Sequence, residues 1–122
     1  MPALESPEIR LDISIENSTA LLNVRGKRFS GATSFPCDKE TFAQFAAELE
    51  ELYTTLREGE ARLCEWHEPD DNYVNFASDG MGHFEISGVF CKWERWALSF
   101  SETIDQTYLK NFVNELRQCT AK

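Results

Sequence analysis

Nowhere does this chain hold the roughly 18 uninterrupted apolar residues that a membrane helix needs, so no membrane span is expected. Its start, MPALESPEIR, lacks a basic segment followed by an apolar run, which speaks against a secretory signal and for a cytoplasmic protein. Cysteine is sparse and never paired as CxxC: Cys37, Cys64, Cys91 and Cys119 stand 27, 27 and 28 residues apart among neighbours that share no repeat. Free thiols, mostly buried, are the expectation in a reducing compartment. Glycine forms no phosphate-binding loop, because Asp79-Gly80-Met81-Gly82 is followed by neither a lysine nor a helix. Disorder is argued against by a 42% hydrophobic content with nine Phe among 122 residues, enough for one packed domain spanning 1–122.

Basic residues are few as well: twelve Lys and Arg against 21 acids give a net charge of −9. The deficit is local. Between Glu48 and Asp79 ten acids face two bases, Arg57 and Arg62, so this window carries −8 and the remainder only −1. A field of that sign repels nucleic acid and steers a basic partner. Acid runs of this kind also serve as solvated faces that keep a protein soluble.

Period-two alternation marks Ile9, Leu11, Ile13 and Ile15, set between Arg10, Asp12, Ser14 and Glu16, as a half-buried strand. Asn17-Ser18 supplies a turn into a second strand over 19–25, and Gly26 breaks the run as a bulge or turn before a third that ends at Pro36. Asp38 then reads as a helix N-cap. Phe42, Phe45, Ala46, Leu49, Leu52, Tyr53 and Leu56 follow at helical spacing, with Gly59 as the expected C-terminal stop and Glu48, Glu51, Thr55 and Glu58 on the wet face. Strands are expected at 61–66, 73–77, 83–89 and 96–100. Thr103 or Asp105 is expected to cap a second helix striped by Leu109, Phe112, Val113 and Leu116. The predicted class is α+β: a largely antiparallel sheet of six to seven strands, in the order βββ-α-ββββ-α, with two helices on one face.

The stretch CEWHEPDD (64–71) gathers a thiol, an imidazole and four carboxylates. A structural zinc site needs two converging ligand pairs, and only Cys64 with His67 supplies one. Cys91 and His83 would have to come from other strands, so no metal is expected. Pro69, Asp70, Asp71 and Asn72 read as an exposed turn. His67 and His83 are the candidate general bases, yet no Cys or Ser near them lies at a strand-to-helix elbow. No catalytic residue and no cofactor are expected.

Two segments, GHFEISGVF (82–90) and WALSFSETIDQTYLKNFVNELR (96–117), resemble the C-terminal pattern of WapI-type bacterial immunity proteins and their uncharacterised relatives. Gly82, His83, Phe100, Asp105, Gln106, Thr107, Leu109 and Phe112 carry the match. The resemblance implies a non-enzymatic protein that neutralises a polymorphic toxin.

Joined to the charge pattern, it gives the first expectation, an acidic surface that occludes a basic toxin domain. Glu48, Glu51, Glu58, Glu60, Glu65, Glu68, Asp70 and Asp71 are its expected contacts, with Trp66 or Trp93 as aromatic anchor. Neither nucleic acid nor membrane is an expected partner, and a monomer is favoured. A second reading is a small-molecule-binding or enzymatic domain using a sheet-face pocket around His67 or His83. The third is a secretion chaperone; those open with a helix, whereas this chain opens with a strand.

Overall fold

The computed structural model describes residues 3–64, 72–92 and 96–120. Local patterning decides the first half. Leu4 anchors a short strand, β1 (Ala3–Glu5), which pairs with β2 (Ile9–Glu16), where Ile9, Leu11 and Ile13 are buried between wetter neighbours. Asn17 and Ser18 both take positive φ, 52° and 61°, the twist that a two-residue hairpin requires. They return the chain as β3 (Thr19–Gly26), and β4 (Ser30–Pro36) completes an antiparallel meander.

Asp38 caps α1 (Lys39–Thr55), accepting from the Thr41 amide at 2.7 Å. Then come β5 (Glu58–Cys64), β6 (Tyr73–Asp79), β7 (His83–Lys92) and β8 (Trp96–Asp105), each antiparallel to the one before. A 3-10 turn (Gln106–Tyr108) leads into α2 (Lys110–Thr120).

The class is α+β, but the expected single sheet of six to seven strands is replaced by two four-stranded sheets, β1–β4 and β5–β8. Among the described residues no ladder joins them. Where β4 nears the second sheet, side chains meet instead of backbones: Phe29 stacks on Phe100 at 6.1 Å, and Leu98 lies against Gly31. Thr33 Oγ1 donates to Asn72 Oδ1 at 2.7 Å, and the same oxygen accepts from the Cys91 amide at 2.8 Å.

Both sheets turn one face to a common core. α1 packs on β5 and along α2, while α2 also reaches β1 and β2. Rings link these layers: Phe45 lies 5.9 Å from Phe76, which stacks on Phe112 at 5.8 Å. Truncating one such buried ring to alanine costs about 3–5 kcal/mol.

Three local expectations are corrected. Gly59 does not stop α1: Leu56 takes the left-handed C-cap, at φ 54°, and Gly59 lies inside β5. A Cβ there would come within 2.9 Å of Leu52 Cδ2, so this glycine serves close packing of helix on strand. Thr103 stays within β8, and Asp105 caps the 3-10 turn rather than α2 itself. Among the four cysteines Cys37 is buried, Cys64 and Cys91 are half-buried and Cys119 is exposed.

Candidate functional site

On α1, helical spacing puts Gln44, Glu48, Glu51 and Thr55 along one wet stripe. Gln44 Nε2 donates to Glu48 at 3.2 Å, and Glu51 holds Arg57 through an ion pair at 3.1 Å. Glu50, on the opposite flank, pairs with Arg117 of α2 at 2.9 Å and ties the helices together.

On β5 the alternation is strict. Ala61 and Leu63 are buried in the core, so Glu58, Glu60 and Arg62 stand on the outer sheet face, turned away from α1. The sequence-expected acids Glu48 and Glu51 therefore lie on the helix, and Glu58 and Glu60 on the far side of edge strand β5. Glu65, Trp66, His67, Glu68, Asp70, Asp71 and Trp93 lie outside the described residues.

Strand register extends the acid group across that outer face. Glu58 pairs with Asp79, and Glu60, Ala77 and Glu85 form the next row over three strands. At the end of the sheet, His83 faces Asp105 across the β7–β8 ladder. Asp79 closes the intervening turn: Oδ1 accepts from the Met81 amide at 2.7 Å and the His83 amide at 3.1 Å, and Oδ2 lies 3.3 Å from His83 Nδ1. The Met81 amide above all, helped by His83, holds the Asp79 carboxyl below its ordinary value. Thr107 does the same for Asp105 through its amide, at 2.9 Å, and its side chain, with His83 adding to the effect.

Chemically, this arrangement is rich in acceptors and poor in nucleophiles. His83 is exposed and bonded to its own turn, and among the described residues no group of three or more His, Cys, Asp or Glu is placed to hold a metal ion. Burial pushes the Cys37 thiol up to about 11, which keeps it protonated and unreactive near neutrality.

The sequence pattern of the Immunity protein WapI-like family matches residues 10–122. The chain belongs to that family. The match runs through both sheets and both helices, well beyond the C-terminal segments that carried the resemblance in the sequence. No curated protein matches the chain. Among solved structures, a crystal structure of a protein with unknown function from Prochlorococcus sp. NATL2A is similar at 15% identity, over 97% of this chain and 98% of that one, with a TM-score of 0.41. That likeness is too slight to bear on fold or function.

Membership in the WapI-like immunity family points to a toxin-immunity role and a protein partner. The fold brings together the C-terminal residues that carry the resemblance. Gly82, at φ 95°, presents its carbonyl to the Gln106 amide at 2.9 Å, so Gly-His and Asp-Gln-Thr meet at one end of the β7–β8 pair. Sequence reasoning passed over Asn75, Asp79 and Glu85 as site residues. Period-two alternation puts Asn75 and Asp79 on one face of β6 and Glu85 on one face of β7. Only the pairing of the strands brings them beside Glu58 and Glu60.

Proposed function

We propose that this chain is a non-enzymatic immunity protein that binds a basic toxin domain and blocks it stoichiometrically through an acidic surface. Family membership over residues 10–122 is the observation that carries this reading. The proposed contacts lie on both sides of edge strand β5: Glu48 and Glu51 on α1, Glu58 and Glu60 on the outer sheet face, and Glu65, Glu68, Asp70 and Asp71 following β5 in the sequence, with Trp66 or Trp93 as the central anchor. Charge complementarity accelerates encounter, and salt weakens it. The protein acts as a monomer in the cytoplasm, where the toxin of a neighbouring cell arrives. No helix among the described residues is long and apolar enough to cross a membrane.

The test is co-expression with candidate toxin domains, beginning with any encoded by neighbouring genes. Growth should be restored by the intact chain and lost when Glu48, Glu58 and Glu60 are reversed to lysine. Protection that persists in the triple variant contradicts the acidic-surface mechanism; a chain that never protects contradicts the immunity role.

A further inference from the structure

The row Glu60–Ala77–Glu85 crosses β5, β6 and β7 on the outer face of the second sheet. Neighbouring strands lie about 4.8 Å apart, so two carboxylate-bearing stems flank a single methyl group at about 10 Å from each other. Along β6 the same trough runs from Asn75 to Asp79. Asn75 is only 5% exposed, and its Oδ1 accepts no hydrogen bond. A buried amide oxygen left unpaired costs about 1–3 kcal/mol, a cost that a donor arriving with a partner removes.

No ion pair among the described residues engages Glu60 or Glu85. Arg62, two residues along β5 from Glu60, has its guanidinium 4.6 Å from the centre of the Tyr73 ring, toward the other end of the strand. Two free carboxylates and an unpaired amide oxygen therefore surround a gap lined by one small residue. Across the strands Asn75 lies between Arg62 and Ser87, and Ala77 between the two carboxylates, so the acceptors gather at the Glu60–Glu85 end.

We propose that this trough seats a basic side chain of a protein partner, an arginine or lysine, over Ala77, between Glu60 and Glu85 and donating to Asn75 Oδ1. The inference rests on the toxin-binding reading and names the chemistry of its central contact. Arginine suits the seat better than lysine, because a planar guanidinium offers five donors in a fixed fork to acceptors on three sides.

The test is a titration of the isotope-labelled full chain with a hexa-arginine peptide, followed by NMR. The Asn75 side-chain amide and the backbone amides of Glu60, Ala77 and Glu85 should shift along one binding curve. The double variant Glu60→Gln/Glu85→Gln should weaken binding about tenfold or more. Ala77→Leu, which fills the trough without changing charge, should do the same, while Glu8→Gln/Glu16→Gln, beside and on the first sheet, should change it by less than about twofold. Shifts confined to α1, or an Ala77→Leu variant that binds as well as the parent, overturn the proposal. Peptide seated in the trough of a chain that gives no protection refutes the toxin reading and leaves the seat standing. Protection by a chain whose trough takes no peptide refutes the seat alone.

Discussion

Thr33 and Asn72 join the two sheets by a side-chain hydrogen bond of 2.7 Å, across a gap where no backbone ladder forms among the described residues. Asn72 Oδ1 also accepts from the Cys91 amide at 2.8 Å, so one buried oxygen serves both sides of the junction. The two bonds are unequal in what their loss leaves behind. Thr33→Val removes one donor and should cost about 1 kcal/mol, whereas Asn72→Ala removes the acceptor of both bonds and should cost about 2–3 kcal/mol. Urea denaturation of both variants checks this, and equal losses would count against the junction.

Asp79 and Asp105 contribute to how the fold responds to acid. Both carboxyls sit below their ordinary value of 3.8, Asp79 through the Met81 amide first and Asp105 through Thr107 first. A depressed carboxyl adds stability that is complete above its unfolded value and fades as pH falls through the folded one. Asp79→Ala and Asp105→Ala should therefore be less stable than the parent at neutral pH, with a gap that closes below about pH 4. Thermal melts between pH 7 and pH 2 measure that gap, and a difference constant with pH is the contrary result.

The thiols should separate by burial. Cys119 is exposed, whereas Cys37 is buried with its thiol pushed up to about 11. At pH 8 a thiol reagent should modify Cys119 in the native protein and reach Cys37 only after denaturant is added. Mass spectrometry of the native protein after brief labelling decides it. Early modification of Cys37 would mean that its segment opens readily.

Much of the chain could be read from its residues. Ile9, Leu11 and Ile13 alternate with wetter neighbours because a strand buries one face, and Asp38 precedes α1 because free amides need an acceptor. What escaped were choices that depend on partners. β1 is three residues long, too short for any period to show. Alternation reports which face of a strand is buried but not which strand lies beside it, so two sheets read as one. Gly59 looked like a helix stop, yet its need for glycine comes from Leu52 packed against it, and Leu56 bears the left-handed turn instead. Asn75, Glu60 and Glu85 become neighbours only through register.

Calorimetric titration of the chain with the toxin domain that it neutralises on co-expression bears most directly on partner recognition by the acidic surface. The variant to compare carries Glu48→Lys, Glu58→Lys and Glu60→Lys, leaving Glu51 to hold Arg57. Its control carries Glu5→Lys, Glu8→Lys and Glu16→Lys, the same charge change on and beside the first sheet. The first triple should weaken binding about a hundredfold and the control less than about threefold, with the parent affinity falling as salt rises. Equal losses in the two triples, or a parent affinity indifferent to salt, would contradict recognition through this surface.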